Sequence, residues 1–194
     1  KQPRFGAFAK RRITIINLVP AVILREAYDI SLSKEIIYPS KDDSIKSNQT
    51  PYCVDLIVPD SNKADLKFFF QHELNTHLPV KAELQKKIMP CYVLRPIKDK
   101  QILVKESAHS QNLFSFSSLA FEGEGIMFKS FVSYLENELN YPVYDDTGLR
   151  RYYDISFKKN AIEPLKSTEE SLSKIGLELI KDQKEMKVLV ITAR

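Results

Sequence analysis

The strongest constraint on the fold of this chain is a pattern that recurs four times: an amphipathic helix followed by two strand-like segments. In the helical segments, apolar residues recur three and four positions apart, which places them on one face of a helix. In the segments between them, apolar and polar residues alternate, which is typical of a strand with one face on a core. The pattern predicts an α+β fold with helices packed on mostly antiparallel sheet. The predicted helices lie at residues 20–29, 62–77, 126–139 and 167–176.

The four units form two similar halves. A strand-like run precedes the first helix at residues 12–18, and another precedes the third helix at 113–119. Each half therefore reads β-α-β-β-α-β-β, which predicts an internal repeat. We predict a first half at 1–97, a linker or insert at 98–112 and a second half at 113–194. One compact domain that contains both halves also fits the length of 194 residues.

Local signals predict where single elements begin and how they are covered. Pro20 fits the first turn of the first helix, because the amide hydrogen that proline lacks has no partner there. Ser167, followed three residues later by Glu170, predicts a capping box at the start of the fourth helix. The continuous apolar run at 188–191 predicts a strand that is covered on both faces, and a short strand is predicted at 102–104.

Composition and charge exclude several classes of function. The net charge is +4, but lysines alternate with acidic residues along most of the chain, and the basic run at 10–12 is too short to indicate nucleic acid. No stretch approaches the about 20 apolar residues of a membrane span. We therefore expect neither a nucleic-acid partner nor a membrane span in this chain.

The residues that usually carry chemistry do not form a recognisable site. The histidines lack the spacing of a zinc site, five glycines form no phosphate-binding loop, and no serine lies in a nucleophile elbow. Cys53 and Cys91 lie in predicted strands, and two interpretations stay open for them: small buried residues, or a disulfide between neighbouring strands. The sequence thus predicts no catalytic residue, no metal ligand and no cofactor.

The sharpest match to a catalytic motif is the tripeptide Asp146-Thr147-Gly148. Aspartic proteases carry their catalytic Asp in such a loop, and two loops share one proton. This chain has no second loop, so a homodimer would have to supply it, and Asp145 stands where a buried loop requires an apolar residue. We therefore disfavour a homodimeric aspartic protease.

A structural turn is the favoured interpretation of the same segment. Asp145, Thr147 and Gly148 would form a tight turn, in which an Asp side chain binds backbone N–H groups and Gly148 supplies the positive φ. Leu149 would fold back onto the core, and the following strand would face the core with alternate residues. The turn residues we predict are Asp145, Thr147, Gly148, Leu149, Tyr153 and Asp154.

Three aromatic residues predict a ligand groove as an alternative to core packing. Phe68, Tyr144 and Tyr152 would line a cleft between the two halves. The polar loop at 40–51 contains Asn48-Gln49-Thr50, which is an acceptor sequon if the host glycosylates it.

Residues 142–157, which read PVYDDTGLRRYYDISF, resemble the PVxDxTGLxGxYDFxL segment of the bacterial soil-associated protein family, a domain of unknown function. Further segments resemble the family's LIxxAY helix, its xPVYxL strand and its terminal GLxL and VLVI strands; they lie at 23–28, 89–94, 176–179 and 188–191. The resemblance covers nearly the whole chain. The helix-plus-hairpin unit also resembles the short N-terminal domains of secretins and TonB-dependent receptors, which contact other proteins.

The resemblance implies an exported protein of the periplasm or outer cell envelope of a Gram-negative bacterium, whose signal segment is not in this chain. The favoured hypothesis is a non-catalytic envelope domain that binds an unknown protein or peptide through sheet edges and hairpin loops, as strand-addition modules do. The alternative is a small-molecule or glycan-binding accessory domain of a larger envelope redox or sensor protein.

Overall fold

The computed structural model describes residues 5–37, 50–111, 113–117, 119–158 and 162–193. In these residues the chain has the predicted α+β architecture, with four α-helices and eleven strands. The helices are α1 (Pro20–Tyr28), α2 (Leu66–His77), α3 (Phe128–Leu139) and α4 (Pro164–Lys174).

The strands form three sheets with the orders β1-β2-β4, β6-β10-β8-β7 and β3-β11-β5-β9. The first two sheets are antiparallel, as predicted, whereas the third contains the parallel pairs β3–β11 and β5–β9. The strands are β1 (Phe5–Phe8), β2 (Arg12–Leu18), β3 (Glu35–Ile37), β4 (Tyr52–Ile57), β5 (Val80–Pro96), β6 (Lys105–Glu106), β7 (Leu113–Phe116), β8 (Ala120–Met127), β9 (Val143–Asp145), β10 (Tyr152–Lys158) and β11 (Leu177–Ala193).

The described residues divide into two compact units. The first unit contains the residues up to Lys86 and those from Lys187 on, and the second contains Lys87–Met186. This division differs from the predicted boundary at 98–112, because the long strands β5 and β11 each contribute residues to both units. A sequence pattern shows that a segment is extended, but it does not show which core each part of the segment joins.

The core of the first unit contains the apolar faces of α1 and α2. Pro20 lies in the first turn of α1, as predicted, and Ile23 and Leu24 behind it are fully buried. α2 begins at Leu66 instead of residue 62, because the 3-10 helix Asp60–Asp65 precedes it. The other buried members are Ala27 of α1, Leu78 between α2 and β5, and residues of β2, α2, β5 and β11: Ile13, Ile15, Phe70, Leu74, Val80, Ala82, Leu189 and Ile191.

The core of the second unit lies between α3 and the sheet β6-β10-β8-β7. Tyr153, Ile155 and Phe157 of β10 are buried and alternate with more exposed residues, as predicted. The apolar face of α3 meets them, since Phe131 contacts Phe157 with ring centroids 5.3 Å apart and lies 5.4 Å from Phe121 of β8.

The stretch 98–111, which we predicted as part of a linker or insert, packs within the second unit. The N–H of Ile97 donates to Gly176 and that of Leu103 to Ile175, each at 3.0 Å. The side chains of Ile102 and Val104 pack against the core of the unit. The predicted strand at 102–104 is wrong, because the strand in this region is β6, three residues later.

Two predictions about the fourth helix are wrong: its start at residue 167 and its capping box. α4 begins at Pro164 after Glu163, which makes no side-chain cap, so Ser167 lies inside the helix and no capping box forms. Its N–H donates to the carbonyl of Glu163 at 3.0 Å, which is an ordinary helical hydrogen bond. The helix starts earlier because proline is already suited to the first turn.

The predicted strand pairs after the second and fourth helices are each a single 17-residue strand, β5 and β11. Their polar middle parts look like turns in the sequence but remain extended. The run at 188–191 is buried throughout, as predicted for a strand covered on both faces. The internal repeat stays a prediction.

Neither of the two cysteines is in a disulfide. Cys53 is exposed in β4 and Cys91 is buried in β5, so the disulfide alternative is wrong. The predicted sequon lies partly outside the described residues, since Asn48 and Gln49 are not among them.

Candidate functional site

The segment after β9 folds into a turn that its own side chains hold. The Asp145 carboxylate accepts hydrogen bonds from the backbone N–H of Thr147 at 3.0 Å and from its hydroxyl at 2.6 Å. Its second oxygen binds Arg150 at 2.7 Å, and the Thr147 hydroxyl accepts the N–H of Leu149 at 3.2 Å. Gly148 adopts a φ of +75°. The Asp145 carboxylate is therefore fully occupied in shaping the turn.

Asp146 lies next to this network with an exposed side chain. Its backbone N–H donates to the carbonyl of Leu94 at 2.9 Å, which attaches the turn to β5. Within the tripeptide, Thr147 and Gly148 shape the turn and Asp146 contributes its backbone N–H.

Asp154, which we grouped with the turn, instead joins three strands. One of its oxygens accepts the backbone N–H of Gly125 in β8 at 3.0 Å, and the other lies 3.1 Å from the Lys105 ammonium of β6. The Gly125 N–H, helped by Lys105 and Ser107, holds the pKa of Asp154 below its usual value. Its neighbour Tyr153 points into the core and is buried.

The three predicted groove residues have separate surroundings. Phe68 of the first unit is exposed on α2, where it contacts Phe69 at 5.9 Å and stacks with His72 at 6.5 Å between ring centroids. Phe68 belongs to the first unit and the other two residues to the second, and the shared groove stays a prediction.

Tyr144 and Tyr152 face different neighbours within the second unit. Tyr144 is half-buried against a small cluster that includes Met89 and Ile180, with the Lys184 ammonium 5.9 Å from its ring centroid. Tyr152 is exposed at the start of β10, opposite Met127. Tyr144 thus packs against a small apolar cluster, whereas the ring of Tyr152 is exposed to solvent.

A surface that sequence reasoning missed lies at β7, the last strand of the sheet β6-β10-β8-β7. All four of its side chains are exposed, although three of them are large and apolar: Leu113 at 60%, Phe114 at 48% and Phe116 at 65%. Clusters of exposed apolar side chains are common at protein interaction surfaces, so this edge is a candidate for one. We call Leu113–Phe116 the β7 edge.

The two phenylalanines of the β7 edge extend the aromatic core of the second unit into solvent. Phe114 stacks on buried Phe121 at 6.0 Å with an interplanar angle of 19°, and Phe116 lies 6.3 Å from the ring of Tyr134. The two phenylalanine rings are themselves stacked 6.3 Å apart. The core thus holds both rings in place while one side of each stays exposed.

The backbone of the β7 edge directs hydrogen-bonding groups away from its sheet. The N–H of Ser117 donates to Ala120 at 2.8 Å, and bonded and non-bonded pairs alternate along an antiparallel ladder. Given the pairing of Ser115 with Glu122, Ser115 is bonded to β8. The N–H and C=O groups of Phe114 and Phe116 therefore face away from β8.

The opposite face of the same hairpin is acidic. Glu122 and Glu124 of β8 are exposed and lie across from Ser115 and Leu113. Glu122 accepts a hydrogen bond from the Ser156 hydroxyl at 3.0 Å. Among the described residues neither carboxylate forms a salt bridge. The hairpin borders a groove of about 450 Å³, lined by Leu113, Phe114, Ser115, Glu122, Gly123 and Glu124.

Tyr134 of α3 lies beneath the β7 edge and has a buried hydroxyl without a hydrogen-bond partner in the described part of the chain. Burial, with a smaller contribution from the charge of Glu138, raises the pKa of Tyr134 to about 12. The aromatic cluster of this unit therefore contains a buried polar atom, the Tyr134 hydroxyl oxygen, that has no hydrogen-bond partner among the described residues.

The first unit has a second concave surface, a groove of about 410 Å³. The ring of Phe8 meets that of Phe70 at 6.4 Å in an edge-to-face contact at the groove. Lys63, Lys67, Glu26 and Asp29 contribute charges of both signs to its lining.

Two classes of site do not occur among the residues that the structure describes. No three His, Cys, Asp or Glu side chains are grouped so that they could hold a metal ion. No described helix is long and apolar enough to cross a bilayer.

The chain matches a family described as "Protein of unknown function (DUF3738)", and the match covers residues 16–193. No curated protein and no solved structure matches the chain.

The strand-like pattern at 113–119 predicted a strand in the region of β7. No signal in the sequence marks β7 as the edge strand of its sheet, because its exposure depends on which other strands are its neighbours.

Proposed function

The chain belongs to the DUF3738 family of unknown function, and we propose that it is a non-catalytic module that binds an extended protein or peptide segment by strand addition at the β7 edge. One observation carries the proposal: the outward backbone groups of Phe114 and Phe116 coincide with exposed rings of the same residues. Strand addition uses both features, since main-chain bonds supply affinity and alternate side chains supply specificity.

The composition of the β7 edge supports this role. Natural sheets protect their free edges with lysine, proline, bulges or covering loops. The β7 edge, Leu-Phe-Ser-Phe, contains neither lysine nor proline and pairs with β8 without a register shift. Its length of four residues limits edge-to-edge aggregation. Its three exposed apolar side chains would lose contact with water when a partner binds, which favours binding.

A synthetic peptide tests the proposal. An eight-residue peptide of alternating valine and threonine is titrated into the labelled protein, and amide chemical shifts are followed by NMR. We expect shifts centred on residues 113–117 and loss of binding in Phe114→Ser/Phe116→Ser. Methylation of alternate backbone nitrogens of the peptide should also abolish binding, because it removes the donors that the added strand needs.

The matched control is Phe68→Ser, which removes a similarly exposed ring from the surface of α2. This variant should bind as the wild type does. Equal binding by the peptide and its methylated form would reject strand addition.

We also propose that the protein acts in the periplasm or outer cell envelope as a member of the soil-associated family. The resemblance of residues 142–157 to the family segment supports this location. Fractionation of cells that produce the full-length gene product, with a cytoplasmic enzyme as control, tests it. Recovery with the cytoplasmic fraction would reject it.

A second candidate function is binding of a small molecule by an accessory domain, and the groove of the first unit favours it. Its volume lies in the range of natural ligand sites, and Phe8, Ile13 and Phe70 supply apolar lining. Dodecanoate is a suitable probe, because Lys63 and Lys67 lie beside this apolar lining. Saturable binding that Ala27→Phe removes would support this function, whereas unchanged binding would reject it.

A further inference from the structure

We propose that the segment that docks on the β7 edge carries an apolar–basic–apolar triad, with its basic residue opposite Ser115. The inference rests on the proposed strand addition and names the chemistry of the partner. The juxtaposition that carries it is an aromatic pair on one face of the hairpin and two carboxylates on the other.

The outer residues of the triad are apolar because of where an added strand places them. Phe114 and Phe116 offer the outward backbone groups, so two partner residues pair directly with them. Side chains that pair across two strands lie on the same face of the sheet. Those two partner side chains therefore meet the exposed sides of the phenylalanine rings, where burial of apolar area is favourable.

The middle residue of the triad falls on the other face, beside Ser115. Glu122 lies across Ser115 on β8, two strand spacings or about 10 Å from the backbone of the added strand. Ser115 is small, so the side chain of a lysine or arginine can extend over it toward Glu122 and, diagonally, Glu124. A short or acidic residue would bring no positive charge to either carboxylate.

The two carboxylates have charge available for such a contact. The described contact of Glu122 is with the neutral Ser156 hydroxyl, and the Lys105 ammonium, on the far side of β10 in the same sheet, is bound to Asp154 at 3.1 Å. Opposite charges across an interface raise association rates and reject partners of like charge. The β7 edge is therefore expected to select basic segments, although the chain as a whole carries a net charge of +4.

A second copy of the chain is a less suitable occupant. Pairing of two β7 edges would place Ser115, which has no positive charge, at the middle position of each triad. The same pairing would bring the Glu122 and Glu124 carboxylates of both copies onto one face, where like charges repel.

Three peptides that differ at one position test the inference. Each is an eight-residue Val/Thr peptide whose middle triad is Val-Lys-Val, Val-Gln-Val or Val-Glu-Val, and Kd is measured by titration calorimetry at low salt. We expect the Lys peptide to bind about tenfold more tightly than the Glu peptide, since each exposed charge contact is weak and two carboxylates act together. The preference should shrink in 0.5 M salt, which screens exposed charges.

Variants identify the carboxylates responsible. Glu122→Gln/Glu124→Gln should remove the preference, and Glu122→Lys/Glu124→Lys should reverse it in favour of the Glu peptide. Glu169→Gln/Glu170→Gln, which neutralises two exposed carboxylates on α4, is the matched control and should keep the preference. Circular dichroism confirms that each variant is folded.

The outcomes separate this inference from the function on which it rests. Equal binding of all three peptides overturns the triad but leaves strand addition standing. No binding of any peptide rejects strand addition as well. Concentration-dependent dimers that Phe114→Ser/Phe116→Ser abolishes would overturn the inference, because they identify a second copy as the occupant.

Discussion

The carboxylate of Asp154 accepts a hydrogen bond from the backbone N–H of Gly125 at 3.0 Å and thereby attaches the central strand β10 to β8 at a point where their pairing is irregular. The register of the two strands shifts between Tyr153 and Ile155, so an ordinary ladder bond is not formed there. Gly125 is suited to the site because its φ is +56° and a Cβ would lie 2.3 Å from the carbonyl oxygen of His109. The Asp154 side chain thus bonds to a backbone N–H of β8 at the point where the register of the two strands shifts.

The first prediction concerns the pH dependence of this contact. The pKa of Asp154 is lowered in the folded state, so its contribution to stability is present above the ordinary pKa of 3.8 and is lost as the pH falls below it. Urea unfolding followed by circular dichroism from pH 2 to pH 6 should show this loss in the wild type and less of it in Asp154→Asn. The exposed carboxylate variant Asp146→Asn should behave as the wild type, and an identical pH profile for Asp154→Asn would contradict the assignment.

The second prediction compares two glycines with positive φ. Gly148 has a φ of +75° with no atom within 4 Å of an added Cβ, so Gly148→Ala should cost only the strain of that conformation, about 1 kcal/mol. At Gly176 the φ is +82° and an added Cβ would lie 2.3 Å from the Gln101 carbonyl oxygen, so Gly176→Ala should cost clearly more. Thermal and urea unfolding of both variants measure the order, and equal losses would show that the close contact at Gly176 relaxes.

The third prediction concerns the unpartnered hydroxyl of Tyr134. Tyr134→Phe removes a buried polar group that has no partner in the described residues, so stability at pH 7 should be unchanged or rise by up to about 1 kcal/mol. Burial raises the pKa of Tyr134 to about 12, so the folded state disfavours the phenolate, and the fold loses stability as the pH rises from 10 toward 12. Tyr134→Phe should therefore resist unfolding between pH 10 and pH 12 better than the wild type.

The exposed Tyr152 provides the control for this experiment. Tyr152→Phe should leave the alkaline unfolding curve unchanged. A loss of stability in Tyr134→Phe at pH 7 would show that the hydroxyl makes a favourable contact in solution.

The fourth prediction concerns the ion pair that joins α1 to β3. Arg25 lies 2.8 Å from Glu35, whose side chain is only 7% exposed. Arg25→Met should leave this carboxylate buried without its partner and cost about 3 kcal/mol or more. Arg12→Met, which breaks a bidentate pair with exposed Asp55, should cost clearly less, because water screens an exposed ion pair.

Chemical unfolding of the two arginine variants measures this difference. The spectroscopic signal should include the first unit, which contains both pairs. If the two variants lose similar amounts of unfolding free energy, burial of Glu35 does not strengthen its pair with Arg25.

Much of the local structure could be predicted from the residues alone. The periodicity of α3 identified the buried face that includes Phe128, Phe131 and Leu135, and the alternation in β10 identified its core side. Local signals were less reliable where several competed, as at the start of α4, where Pro164 rather than Ser167 lies in the first turn. The candidate site was not predictable, since Phe114 and Phe116 look like core residues in the sequence.

The amino-acid sequence by itself determined the fold class, the places of the helices and most strands, and which side of many of these elements is buried, because these depend on patterns that repeat within a few residues. The tertiary structure alone decided that β5 and β11 each contribute to two units and that residues 98–111 pack in the second. It also decided that β7 ends its sheet and that Asp154 reaches Gly125. Pairing and exposure depend on residues far away in the chain, and no local pattern contains that information.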